Sequence, residues 1–340
     1  MTDRSLPTVA SAAILSLTLM EYISYATIFL ALFGTVGNIL ILVAFFKIGF
    51  AETINISYSA LCVSDMLCVA GFTFNAICYI PAFFKSDIPF IAMEVVIPTG
   101  GGTSDMFSEI TAWITAYISL ERCLCVVFPL KVKTIVKRKR TIIVLSAIFS
   151  MAAIPLMSIK LYVYEFVEKF DVRRNTTLIG TRFRSSKFAD ALYDFYFMYK
   201  LVIMEIVPLI IVLVSSVTLA VHIRRIASWR AGNSGPPIEK STNKDDRNHR
   251  KYTKDVRVAK TVLVIATAFI FLGTLKSVRF LSSVLWPPFG PLGAYDAQYK
   301  LISRIAFLLS LTNSSVNFVI YYKMGSKFRS TVDQMCLGLK

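Results

Sequence analysis

A carboxylate and a guanidinium side by side, Glu121-Arg122, close the third of seven apolar stretches, and a basic run over residues 131–140 follows. Charges at or inside a bilayer segment are expensive and mark functional positions. Asp65 stands deep in the second stretch among Cys62, Met66, Leu67 and Val69. A lone carboxylate there needs a partner, a proton or an ion. Asn38, Thr111, Asn313, Ser314 and Asn317 supply oxygens on neighbouring stretches, and Asn313 and Asn317, four apart, share a helix face. Such oxygens around one carboxylate suit a small hard cation, or else a polar lock between helices. A second group lies toward the other end. Asp105 and Glu109 are four apart on the third stretch, Lys276 and Arg279 three apart on the sixth, Lys200 and Glu205 lie on the fifth, and Arg304 opens the seventh. These seven cannot face lipid cheaply, so they are expected to line a shared, wet, ligand-binding cavity, with Arg279 and Arg304 near enough to an edge to snorkel.

The elements that must carry these residues are membrane helices. The 340 residues are 55% hydrophobic and 17% charged, too apolar for a water-soluble domain. Seven runs of the roughly 20 apolar residues that a bilayer requires are centred near Leu32, Leu67, Ile114, Ser150, Ile210, Ala268 and Leu309. The expected fold is an all-α seven-transmembrane helix bundle. Residues 1–22 are expected as an extracellular segment, 23–323 as the bundle, and 324–340 as a cytoplasmic interfacial helix and tail. Val9 to Met20 makes no convincing cleavable signal and extends the first helix or lies on the membrane surface. The net charge of +16 is one-sided. Segments 47–54, 129–140, 223–257 and 323–340 hold 21 Lys and Arg, against 10 in segments 1–22, 81–102, 160–192 and 286–300. That asymmetry places the amino terminus outside and the carboxyl tail inside, and accounts for the basic balance without nucleic acid.

Two connections are long. Residues 160–192 mix charge with Phe and Tyr and are expected to cap an extracellular opening; residues 226–252 read as a flexible cytoplasmic linker. Pro155 and Pro208 are expected to kink the fourth and fifth helices and free backbone carbonyls, and Pro81 to follow the end of the second. Of the six cysteines none falls in 160–192, so no disulfide is expected there. The sequon Asn175-Thr176-Thr177 does fall there and is the glycosylation candidate. After Gly325, the residues Phe328, Val332, Met335 and Cys336 recur at helical spacing, as in a helix lying on the inner leaflet, and Cys336 is a palmitoylation candidate.

These features resemble the class A, rhodopsin-like G protein-coupled receptors over essentially the whole chain. The parts that carry the resemblance are Gly37-Asn38, Leu61-x-x-x-Asp65, Glu121-Arg122-Cys123 with Pro129-Leu130 after it, Pro208, and Asn313-Ser314-Ser315-Val316-Asn317-Phe318-Val319-Ile320-Tyr321. The finer likeness is to invertebrate peptide and chemosensory receptors. The resemblance implies a plasma-membrane receptor whose partners are an extracellular short peptide or polar small molecule and a heterotrimeric G protein. It implies that Arg122 is restrained by Glu121 and Asp255, that Tyr321 is a switch partner, and that Asp65, Thr111, Asn313, Ser314 and Asn317 hold a sodium ion. No other cofactor and no catalytic residue is implied. The sequence departs from the family pattern at Ile97 (for cysteine), over Phe269-Ile270-Phe271-Leu272-Gly273-Thr274-Leu275 (which lacks the Trp and Pro of the usual toggle), at Ser216 (for tyrosine) and at Phe318 (for proline). Helix 4 also lacks the family's tryptophan.

Other readings meet specific obstacles. Leu311 stands where an opsin needs its lysine, and Ser104 where an amine receptor has its aspartate, with Asp105 rotated by about a third of a turn. A transporter of a charged small molecule is opposed by the lack of internal repeats, and an intramembrane hydrolase by the absence of His-Glu-x-x-His. A receptor for an apolar odorant would leave the charged residues purely structural.

Overall fold

The computed structural model describes residues 6–128, 135–172, 174–232, 243–290, 293–336 and 338, with side chains described from residue 18 on except 226–227 and 229–255. Seven helices in these residues are long and apolar enough to cross a membrane. Helix α1 spans Leu6–Ile48 and α2 Thr53–Cys78; α3 runs over Ala92–Val127, α4 over Arg138–Tyr162, and α5 enters at Lys187 and continues to Gly232. Helix α6 is Asn243–Leu285, α7 Asp296–Met324, and a short α8 follows at Ser326–Cys336. No break separates residues 1–22 from the bundle in the described part, because α1 passes through Tyr22 without interruption.

The seven close into a ring, α7 against α1 and then in chain order, with α3 running through the middle against α2, α4, α5 and α6. Ile110, Ile114 and Ile118, spaced one turn apart on α3, are at the centre of the core with Ile41, Leu61 and Met204. Phe29, Phe46, Ile143, Ile154, Val214, Val217 and Phe271 point outward, the arrangement of a bundle solvated by lipid. Between α1 and α7 the packing depends on a missing side chain. A Cβ on Gly34 would sit 2.3 Å from Ser315 Oγ, so only glycine lets these helices approach so closely.

Helix α8 forms where the apolar spacing predicts, but its apolar face is not left to the bilayer. Phe328 packs on Phe45, Phe318 and Tyr321, and Phe328 and Val332 are buried against the bundle. Tyr322 Oη donates to Asp333 Oδ1 at 2.7 Å and Arg257 Nη1 to Ser326 Oγ at 2.7 Å, so the helix is pinned at both ends. Cys336 is exposed.

Within residues 160–192, the segment expected to cap an opening, lies a hairpin. Strands β1 (Tyr164–Asp171) and β2 (Thr176–Phe183) pair antiparallel, with Asn175 in the turn at φ 50°, a conformation that asparagine tolerates. The hairpin is tied to the start of α3 without a covalent bond, and all six cysteines are free thiols. Ile179 exchanges backbone hydrogen bonds with Pro89 and Ile91 at 2.9 and 2.8 Å. Glu94 Oε2 accepts from Lys169 Nζ at 2.7 Å and from Thr181 N at 2.9 Å, while the Glu94 carbonyl accepts from Thr181 Oγ1 at 3.0 Å. Gly180 leaves the room: a Cβ there would lie 2.5 Å from Glu94 Oε2. The carboxylate can swing aside, but only by giving up those bonds. Gly180→Ala is therefore expected to loosen the hairpin locally, by about 1–2 kcal/mol. Hydrogen exchange at the amides of Ile179 and Thr181 measures it; unchanged protection would show that Glu94 does not hold the strand.

Candidate functional site

The polar groups expected inside the membrane form three layers, one near the hairpin, one in the middle and one toward α8.

In the hairpin layer the seven charged residues divide into two sets. Five form one buried cluster in which acids and lysines pair with one another. Lys200 Nζ lies 2.9 Å from Asp105 Oδ2 and 3.1 Å from Glu109 Oε1. Lys276 Nζ lies 3.1 Å from Glu205 Oε1 and 4.0 Å from Asp105 Oδ1, and donates to Ser108 Oγ at 3.2 Å. Ser277 Oγ donates to Glu205 Oε2 at 2.9 Å. Burial drives this pairing, since unpaired charges in a low-dielectric interior carry a large desolvation penalty. A small cavity beside the cluster is lined by Glu109, Glu205, Lys276, Ser310 and Asn313. The other two residues, Arg279 and Arg304, stand apart against Tyr299, Phe307 and Tyr79.

The backbone of α5 sets up the cluster. Over Lys200–Ile206 the helix opens into a π turn, immediately before Pro208. In an i→i+5 pattern the Ile203 carbonyl would need the N–H of residue 208, which proline lacks. Trp113 Nε1 takes that carbonyl instead, at 3.1 Å. The wide turn also rotates Lys200 and Glu205 closer to one face than five residues of α-helix would, and both are buried. The freed carbonyl expected from Pro208 thus serves helix packing. Sequence reasoning missed Trp113, Ser108 and Ser277; the charged neighbours of the two serines were the available signal.

In the middle layer Asp65 is 0% exposed. Thr111 Oγ1 donates to its Oδ1 at 2.9 Å and Asn317 Nδ2 to its Oδ2 at 2.8 Å, with buried Ser314 beside it. Ser64 Oγ is 3.0 Å from Thr111 Oγ1, and Asn38 Nδ2 donates to the Ser314 carbonyl at 3.0 Å. Four of the five residues expected around a cation therefore converge. Asn313 does not; it lines the small cavity one turn nearer the hairpin. One carboxylate with hydroxyl and amide oxygens around it has the chemistry to hold a monovalent hard cation.

In the third layer Arg122 Nη2 donates to Glu121 Oε1 at 2.5 Å, with the arginine side chain 11% exposed and the glutamate 0%. Thr53 Oγ1, unforeseen from sequence, donates to the same oxygen at 2.8 Å and ties the pair to α2. The side chain of Asp255, the other expected partner of Arg122, lies outside the described residues, as do Pro129 and Leu130. Tyr321 is buried, its ring 4.7 Å from that of Tyr58, and neither hydroxyl has a hydrogen-bond partner among the described residues.

A closed ring of seven membrane helices, polar layers through its middle and an ion pair at the end of α3 define a membrane receptor of the seven-helix class. The chain belongs to the 7 transmembrane receptor (rhodopsin family), whose family profile matches residues 37–321. It is also similar to the Galanin-like G-protein coupled receptor npr-9 of Caenorhabditis elegans, at 26% identity over 321 residues, taking in 88% of this chain and 69% of that protein. Membership makes it a non-enzymatic receptor of the kind that passes an extracellular signal to a G protein.

Proposed function

We propose that the protein is a plasma-membrane receptor for a short peptide or amino-acid-like molecule, with the hairpin side outside and α8 in the cytoplasm. The observation that carries this reading is the layer of seven charged residues beneath the hairpin: Asp105, Glu109, Lys200, Glu205, Lys276, Arg279 and Arg304. So much buried charge at the mouth of the bundle suits a ligand with formal charges better than an apolar odorant. The name of the nematode relative, a galanin-like receptor, points toward the peptide class. Arg122, with Glu121 and Asp255 as restraints and Tyr321 as the moving partner, is the proposed coupling group. Asn175, exposed in the hairpin turn, is the proposed glycan site, and exposed Cys336 the proposed lipid anchor. The direct test is a nucleotide-exchange screen of the reconstituted receptor and heterotrimeric G proteins against peptide and amino-acid libraries. Charged-solute uptake by vesicles, with no exchange activity, would transfer the protein to the transporters.

Asp65, Thr111, Ser314 and Asn317 are proposed to hold a sodium ion in the resting state, where its charge would offset that of Asp65. A cation bound only by the resting form stabilises that form by linkage. Sodium chloride is expected to raise the unfolding midpoint of the ligand-free protein above that in choline chloride at equal ionic strength. Asp65→Asn, close to isosteric, should remove the difference. Equal midpoints in both salts for the unsubstituted protein would reduce Asp65 to an interhelical lock.

A further inference from the structure

Beyond the paired cluster, the hairpin layer keeps two guanidinium groups with no acid. Arg279, one turn along α6 from Lys276, is 5% exposed. Its Nη1 donates to Tyr299 Oη at 2.6 Å and to Ser303 Oγ at 3.2 Å. Its Cζ lies 5.2 Å from the ring centroid of Tyr299 and 5.8 Å from that of Phe307. Its Nε is buried and has no hydrogen-bond acceptor among the described residues. Arg304 lies 3.3 Å from the Tyr79 ring centroid and donates to Asn75 Oδ1. Among the described residues neither arginine makes an ion pair, whereas Lys200 and Lys276 make two each.

The difference decides where an incoming anion can go. At Lys276 it would compete with Glu205 and Asp105 and lie beside three carboxylates, a placement that like-charge repulsion opposes. At Arg279 no carboxylate among the described residues is within ion-pair distance, and Asp105 acts on it only from further away. A buried guanidinium whose direct contacts are hydroxyls and rings can still take a closer counter-charge. Its best complement is a planar anion that accepts parallel bonds from the unused edge of the fork.

We propose that Arg279 is the docking point for a carboxylate on the ligand. Tyr299 and Ser303 hold the guanidinium in place, and Lys200 and Lys276 serve the acids of the protein itself. The assignment rests on the receptor reading and gives its ligand a polarity: the acidic group lies between α6 and α7, opposite the acids of α3 and α5.

The full chain in lipid nanodiscs, titrated with N-acetylglycine and separately with N-acetylglycinamide, tests the assignment through the unfolding midpoint. The two probes differ in charge and scarcely in size. The acid is expected to raise the midpoint saturably and the amide to leave it unmoved. Arg279→Gln should raise the half-saturating concentration of the acid by at least about tenfold, and Lys300→Met, at an exposed lysine outside the layer, by less than about threefold. Arg279→Lys keeps the charge without the fork, should fall between these limits, and stands in if the glutamine variant does not fold. Three results overturn the proposal: no saturable shift with the acid in the unsubstituted protein, equal binding of acid and amide, or loss of acid binding in Lys276→Met with the Arg279 variants intact. None of these measurements involves a G protein, so they leave the receptor reading to the exchange screen.

Discussion

Lys200→Met is expected to destabilise the protein more than any other single change in the hairpin layer. The lysine is the sole ion-pair partner of Glu109 and the nearer of two for Asp105 among the described residues. Methionine keeps the bulk and leaves those two carboxylates buried with one distant cation between them. Removing one member of a buried ion pair costs about 3–5 kcal/mol, because the charge left behind has nothing to replace water. The effect should appear as a lower unfolding midpoint and reduced surface expression. Adding Glu109→Gln should recover part of the loss, since it removes one of the orphaned charges. A Lys200→Met protein as stable as its parent would show that the acids do not depend on the lysine, and the cluster would lose its structural meaning.

Arg122→Ala is expected to abolish nucleotide exchange on the G protein while the protein still reaches the surface. The arginine adds little to the core: its side chain retains some exposure, and Thr53 stays bonded to Glu121 after the change. In the coupling role proposed for it, what matters is the charge it presents at the end of α3 once released. Glu121→Gln tests the release itself. The substitution exchanges a charge-assisted bond of 2.5 Å for a neutral one, a difference of about 1 kcal/mol, which would raise basal exchange severalfold. Normal exchange by Arg122→Ala at matched surface levels would assign coupling to another group. Silence from Glu121→Gln would mean that the pair is not the restraint, leaving Asp255 as the residue to examine.

Much of this was legible in the sequence because hydropathy fixes where helices lie and helical spacing fixes which charges share a face. Asp105 and Glu109 do meet one lysine, and Asp65 does gather Thr111, Ser314 and Asn317. Spacing does not resolve depth. Asn313 and Asn317 lie near one face, but four residues also separate them by about 6 Å along the axis, enough to put Asn313 in the cavity beside Glu205. Nor does spacing reveal departures from the α-helix. Pro208 signalled an interrupted ladder, yet the π turn that brings Lys200 and Glu205 inward depends on Trp113 arriving from α3. The hairpin escaped notice because Tyr164, Phe166, Phe170 and Phe183 are interleaved with charges on a surface element, where alternation is weak. Its pairing is fixed by Glu94, nearly ninety positions before Thr181.

The tether at Glu94 makes the hairpin face of this receptor, the face proposed to lie outside, indifferent to thiol reductants. The described strands and the start of α3 are joined by main-chain bonds and by a lysine–glutamate pair with side chains 37% and 34% exposed. Thiol reductants have no bond to break there, so the hairpin can form in a reducing compartment as readily as in an oxidising one. Ionic strength acts on it instead: a half-exposed ion pair weakens as salt is added. If that face lies outside as proposed, the surrounding salt tunes its tether and the redox chemistry of the secretory pathway does not.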